Sequence, residues 1–259
     1  VAELNGAPVT PDALCRLALL NYGHFTSIRV DDRRVRGMAL HLDRLVRDSR
    51  TLFDADLDPD LVRGYVRRVV RGTSGPLGVR VTVFDPDLDL GRPGATAHPQ
   101  VLVTVRAAGA TPAPPFTART VEYGRDQAAV KHVGLFGTIK VRRDAQLAGY
   151  DDALFVDASG HVTEGPTWNV GFFDGERVLW PTGDVLPGVT MRLLQQAHPD
   201  HAIAPVRRRD VPAMRAAFAT NAAVGVRAIG AIDGVPFPSD HPVLSALRKE
   251  YEAIPAEPV

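Results

Sequence analysis

Val130-Lys131-His132-Val133-Gly134-Leu135-Phe136-Gly137 opens the stretch that decides the fold. Downstream come Tyr150-Asp151-Asp152-Ala153-Leu154-Phe155-Val156-Asp157, then Val162-Thr163-Glu164-Gly165-Pro166-Thr167-Trp168-Asn169, and last Leu186-Pro187-Gly188-Val189-Thr190. Lys131 stands between a strand and an apolar helix, with Val130, Val133 and Leu135 around it. That setting buries its stem, and desolvation makes a neutral, nucleophilic amine accessible near neutral pH. Glu164 falls in a turn between two strands, and Gly188-Val189-Thr190 starts an apolar helix. Alone, a lysine at a helix start and a carboxylate after a hairpin are ordinary surface residues. Their order along the chain is what gives them weight.

Composition narrows the function. With 259 residues and 45% hydrophobic content, the chain can bury the core of two modest domains or one large one. Thirty basic residues balance thirty acidic ones, so no global field recruits nucleic acid or an anionic membrane, and a small-molecule ligand is expected. Cys15 is the single cysteine, which rules out an intrachain disulfide framework, fits a reducing compartment and is expected to be a small buried apolar residue. No run approaches the ~20 apolar residues of a membrane span and no basic-then-apolar leader precedes the first helix, so a cytoplasmic protein is expected. Only three lysines occur, Lys131, Lys140 and Lys249, which raises the information in each. No His-x-x-x-His pair, Gly-x-Gly-x-x-Gly or Walker-type loop appears, and the Arg207-Arg208-Arg209 triplet reads as solvated surface.

Outward from the central stretch, Asn5-Gly6 supplies a tight turn for a hairpin over residues 3 to 9. Thr10 caps a helix through residue 20 with Leu14, Leu17 and Leu20 on one face. Residues 25 to 30 alternate as a strand and turn at Asp31-Asp32 into a second hairpin arm over 34 to 38. Helices follow over 41 to 53 and 58 to 70, then β-branched strands over 78 to 84 and 100 to 105 around the acidic loop 85 to 99. The glycine- and proline-rich segment 107 to 115 reads as a linker, dividing the chain into domains 1–110 and 111–259. Beyond it lie a strand over 119 to 123, a helix over 132 to 147 and four short strands between 153 and 180 that look like a meander. A helix over 190 to 197, a strand near 203 to 206, a short helix over 211 to 217, strands between 218 and 232 and a helix over 242 to 251 complete the count.

The ordered set Lys131, Arg143, Ala145, Gly149, Asp151, Asp157, Gly160, Val162, Thr163, Glu164, Asn169, Leu186, Pro187, Gly188, Val189 and Thr190 resembles the class IV aminotransferase family. Tyr22-Gly23-His24-Phe25-Thr26-Ser27-Ile28-Arg29 and His41-Leu42-Asp43-Arg44-Leu45 are similar to that family's N-terminal strand and helix, so the resemblance spans residues 20 to 235. It implies the α+β, two-domain fold type IV of the pyridoxal 5′-phosphate (PLP) enzymes. That fold has a small N-terminal α/β domain and a larger C-terminal domain with a β-barrel-like meander and flanking helices. It also implies a homodimer with active sites at the domain junction.

The resemblance assigns roles residue by residue. Lys131 would hold PLP as a Schiff base and then shuttle the substrate proton. Glu164 would keep the pyridine nitrogen protonated, with Asn169 beside it and Leu186 on a ring face. Arg44 would grip the phosphate, joined by Gly188, Val189 and Thr190 at a helix N-terminus and by Asn221 and Ala222. His24, Phe25, Arg29 and Trp168 are the substrate-side candidates, although Arg29 also suits a strand surface and Trp168 also suits core. The implied reaction moves an amino group between a small amine or amino acid and a 2-oxo acid. The alternatives are a lyase of the aminodeoxychorismate type, to which Phe25-Thr26-Ser27 is nearer, and a catalytically retired ligand binder. The loop Asp85-Pro86-Asp87-Leu88-Asp89-Leu90 lacks the Arg-x-His carboxylate trap of D-amino acid aminotransferases, and its acidity suits a cationic or amino-rich substrate.

Overall fold

The computed structural model describes residues 1–259. Its first elements are β1 (Ala2–Leu4), β2 (Ala7–Pro8), α1 (Pro11–Leu20), β3 (His24–Val30), β4 (Arg34–Arg36), α2 (Met38–Phe53), α3 (Pro59–Val69), β5 (Leu77–Phe84) and β6 (Gln100–Ala107). Then come β7 (Phe116–Glu122), α4 (Phe136–Leu147), β8 (Asp152–Val156), β9 (Glu164–Gly165), β10 (Trp168–Phe173), β11 (Val178–Pro181), α5 (Val189–Ala197) and β12 (His201–Ala204). A 3₁₀ turn (Arg208–Ala213), β13 (Ala216–Asn221), β14 (Gly225–Ile232), β15 (Val235–Pro236), α6 (Pro242–Ala253) and β16 (Ala256–Pro258) finish the chain. These fold as two compact units, one of Val1–Gly109, Val130–Gly134 and Ala256–Val259, the other of Ala110–Ala129 and Leu135–Pro255.

The first unit is an antiparallel sheet in the order β2-β1-β6-β5-β3. Period-2 alternation sends Ile28, Val30, Val79, Val81, Val83, Val101 and Val103 to one face, where they meet Met38, Leu42 and Leu45 of α2 and Val62 and Val66 of α3. The α2 residues recur at three- and four-residue spacing, which places them on a single stripe. Asp58 caps α3 by accepting from the backbone N–H groups of Asp60 and Leu61, and Pro59 occupies the first turn. On the opposite face Phe84 and Leu102 meet Ala13 and Leu17 of α1. The Val130–Gly134 segment lines the free edge of β3. Phe25 donates its N–H to the Lys131 carbonyl at 2.8 Å, and Val133 donates to the Gly23 carbonyl at 2.9 Å.

Three local expectations change in this unit. Leu14 is 40% exposed and Cys15 is exposed, because α1 buries little beyond Ala13. The turn after β3 forms, with positive φ at Asp32 and Arg33, but its ladder stops at the Asp31–Arg34 bridge. β4 instead pairs antiparallel with β16, a strand that carries no alternating signal of its own. Lys131 precedes α4 by five residues rather than sitting at a helix start, since Lys131 and Val133 are spent on pairing with β3.

The second unit is a mixed sheet in the order β12-β11-β10-β13-β14-β7-β8, with β9 paired to β10 and β15 to β14. Phe116, Leu154, Trp168, Val170, Phe172 and Ile229 fill one face, and Trp180, Phe218, Leu194, Leu244 and Leu247 fill the other beneath α5 and α6. The four strands expected as a meander are not consecutive. β8 lies at the far end beside β7, and β13 inserts against β10. α4 is not an inward apolar helix, for Phe136 is 83% and Leu147 70% exposed, and only Thr138 and Ala145 are buried. No helix is long and apolar enough to cross a membrane.

Candidate active site

The candidate residues form two clusters, one in each unit. In the first, Lys131 is fixed through its backbone, donating its N–H to Asp48 Oδ2 at 3.1 Å, while Arg47 Nη2 holds the other oxygen of Asp48 at 2.6 Å. Its Nζ lies 4.8 Å from the centroid of Phe25, and Arg80 stacks on the same ring at 3.6 Å. Burial, reinforced by the Arg106 charge, lowers the pKa of Arg80 from its ordinary value, and its Nε donates to Thr82 Oγ1 at 3.2 Å. Arg29 donates to Asp31 Oδ2 at 3.0 Å and to the Gly109 carbonyl at 2.9 Å.

The other face of β3 carries His24 and Thr26, both fully buried. Thr26 Oγ1 lies 2.7 Å from His41 Nδ1 and accepts a short hydrogen bond from Arg44 Nη2, which also stands 3.4 Å from His41 Nδ1. Burial, then the charges of Arg44 and Lys131, hold the His41 imidazole well below its usual range. His24 has no hydrogen-bond partner at either ring nitrogen and packs against Phe53 with centroids 6.1 Å apart. Burial, aided by Arg44 and Arg47, pushes its pKa down to about 3.

In the second unit Glu164 is buried on β9, opposite Asn169 of β10. Its Oε1 accepts from Arg125 Nε at 2.8 Å, and its Oε2 accepts from the Leu186 N–H at 3.0 Å and from Asn169 Nδ2 at 3.4 Å. Asn169 Nδ2 also donates to the Leu186 carbonyl at 2.8 Å, so one amide ties the β10 strand to the chain entering α5. A Cβ at Gly188 would lie 2.0 Å from Asn169 Oδ1, which is why glycine caps α5. Thr190, in the first turn of that helix, is 1% exposed, and its hydroxyl has no partner. Asn221 closes the turn from β13 to β14, accepting from Ala223 and Val224 at 3.0 and 3.1 Å, with Ala222 between. Trp168 lies in the sheet core, donating its indole N–H to Asp152 Oδ2 at 3.0 Å.

These residues fit the group that the sequence implies. An unpartnered buried hydroxyl at a helix N-terminus suits an anion. A buried carboxylate held by Arg125, Leu186 and Asn169 is an acceptor of the kind a ring N–H requires. Arg125 and Arg80 escaped the sequence reading. Arg80 was recoverable as the one charge alternating against Val79, Val81 and Val83. Arg125 gave no signal beyond lying six residues before Lys131. A cleft of about 450 Å³ elsewhere in the second unit is lined by Arg207, Arg208, Arg209 and Asp233, and it contains none of the candidate residues. No group of three or more His, Cys, Asp or Glu side chains is placed to hold a metal ion.

With this geometry in hand, comparison with known proteins decides the family. The model for amino-transferase class IV matches residues 23–232. The chain belongs to the class IV aminotransferase family. It is 29% identical over 128 residues to a probable branched-chain-amino-acid aminotransferase of Rickettsia felis, a match covering 46% of this chain and 44% of that one. The chain thus spans less than half the length of this curated relative. The branched-chain aminotransferase of the archaeon Thermoproteus uzoniensis, solved with norvaline, superposes with a TM-score of 0.85 at 20% identity, covering 97% of this chain and 93% of that one. A hypothetical aminotransferase from Mycobacterium tuberculosis in its PLP-bound form gives 0.83 at 21% identity over 98% of both chains. Both likenesses establish the fold, the two-domain α+β arrangement of fold type IV.

Proposed function

We propose that this class IV family member is a PLP-dependent aminotransferase that moves an amino group between a small amine or amino acid and a 2-oxo acid. The observation that carries the reading is Glu164, a buried carboxylate that accepts from Arg125, Leu186 and Asn169. So fixed, it serves as partner for a protonated ring nitrogen. The PLP-bound form of the M. tuberculosis protein adds support. PLP supplies an aldehyde that joins amines and a ring that draws electrons from the substrate carbon. Lys131 provides the amine that anchors the cofactor and carries the proton to and from the substrate carbon. Glu164 holds the ring proton. The resemblance assigns the phosphate to the Gly188 and Val189 backbone N–H groups, the Thr190 hydroxyl and the Asn221-Ala222 turn, and gives Arg44 the same role; each would contribute a donor suited to an anion. Phe25 and Arg29 stand on the substrate side.

We also infer a homodimer, supported by the uncovered apolar residues Phe136, Ile139 and Leu147 on α4. Sedimentation of the purified chain tests the assembly.

The deciding experiment reconstitutes the protein with PLP, reduces it with borohydride and maps the labelled peptide. An adduct on Lys131 and a visible band bleached by amine donors are expected. Label on another lysine, or none, overturns the reading. Recovery of the band without any 2-oxo acid redirects it to the lyase.

A further inference from the structure

Arg44 sits in an arrangement whose hydrogen-bond polarity follows from the guanidinium, which sets the His41 tautomer by its contact with Nδ1. A guanidinium only donates. Arg44 Nη2 donates to Thr26 Oγ1 and faces His41 Nδ1 at 3.4 Å, so Nδ1 presents its lone pair. The proton of neutral His41 therefore resides on Nε2. With its own lone pair turned to Arg44, the Thr26 hydroxyl sends its proton to His41 Nδ1 across 2.7 Å. All three side chains are buried, Thr26 and His41 within 1% of full burial and Arg44 at 6% exposure. They come from two elements, Thr26 from β3 and His41 with Arg44 one turn apart on α2. The chain of donors runs one way, from Arg44 to Thr26 to His41, and both acceptors are neutral.

We propose that Thr26 and His41 are positioning residues that fix the Arg44 guanidinium for a phosphate monoester, the anionic end of the cofactor in the function proposed above, on which this inference rests. Neutral acceptors orient a guanidinium without cancelling its charge, and a planar fork gains most when its rotamer is set in advance. A carboxylate at position 26 would orient Arg44 equally well but would compete with the phosphate for it. Neither Thr26 nor His41 needs to touch the cofactor for this effect.

The test titrates the full-length protein with PLP and, separately, with pyridoxal, which lacks the phosphate. Thr26→Val removes both the acceptor and the donor at nearly constant volume. It should weaken PLP about tenfold, the scale of one buried hydrogen bond to a charged group, while leaving pyridoxal affinity unchanged. Thr26→Ser restores the hydroxyl and should bind PLP within about threefold of wild type. His41→Leu should behave as Thr26→Val does, and His41→Asn, whose Oδ1 reaches the place of Nδ1, should recover most of the loss. This second pair keeps the test alive should Thr26→Val fail to fold. Equal PLP affinity in wild type, Thr26→Val and His41→Leu overturns the inference, as does parallel loss of PLP and pyridoxal. If the wild type itself takes neither, the cofactor assignment falls instead.

Discussion

Arg125 Nε and Glu164 Oε1 meet at 2.8 Å with side-chain exposures of 9% and 5%, a buried ion pair across 39 residues of chain. Removing one partner of such a pair strands the other charge, at about 3–5 kcal/mol. Arg125→Ala should therefore lower the unfolding free energy by that amount in urea titration. Glu164→Gln keeps an acceptor toward Arg125 and should cost less; under the proposed function it should also slow turnover by roughly 10²-fold, since the amide would no longer hold the ring proton.

Gly188 has φ −65° and ψ 140°, an ordinary backbone conformation, so its need for glycine is spatial. Gly188→Ala drives a methyl against Asn169 Oδ1 and breaks the amide's bond to the Leu186 carbonyl. A loss of about 1–3 kcal/mol is expected from overpacking, read by thermal melting, together with weaker PLP binding in a fluorescence titration.

His24 has a folded pKa of about 3 against an ordinary 6.5. The unfolded chain takes up this proton below pH 6.5 and the folded chain does not, so the stabilisation is present above 6.5 and is lost as pH falls towards 3. By pH 5 the deficit for this one imidazole reaches about 2 kcal/mol. His41, shifted the same way, adds to it. His24→Val should flatten the acid limb of a melting-temperature profile between pH 7.5 and 5; an unchanged slope would show that His24 does not set it.

Trp168 donates to Asp152, and its ring occupies the space where a Cβ on Gly165 would lie, 2.1 Å away. Trp168→Phe should cost about 1 kcal/mol for the lost bond and leave the amine-donor preference unchanged. Gly165→Ala should cost more, about 1–3 kcal/mol or above, since the neighbour is a rigid buried ring. A shifted donor preference in Trp168→Phe would give the indole a substrate contact.

Helices were legible wherever the apolar stripe and the cap lay within one segment, as with Asp58-Pro59 at α3 and Gly188-Val189 at α5. Strand partners were less so, because pairing is decided by distant segments. Nothing near Arg34 announces that Ala256–Pro258 will pair with it, and nothing near β10 announces β13. The same holds for the site. Glu164, Gly188 and Thr190 stood out by order and spacing, whereas Arg125 matters through a contact that no local pattern encodes. Cys15 was misjudged because α1, unlike α2, covers the sheet with only Ala13 fully buried.

The first unit draws on residues 256–259, which follow the whole of the second unit in sequence. β16 pairs with β4, Val259 is buried in the sheet–helix core, and Arg67 Nε donates to its carbonyl at 2.8 Å. During synthesis, then, the unit that leaves the ribosome first cannot be the one that finishes folding first. Residues 110 to 259 must follow, a wait on the order of ten seconds at roughly 5–20 residues per second. Through part of that interval the outer edge of β3 lacks the Lys131 segment, and β4 lacks its partner throughout. The nascent chain thus passes through a period of open strand edges in which a neighbouring nascent chain competes with its own β16.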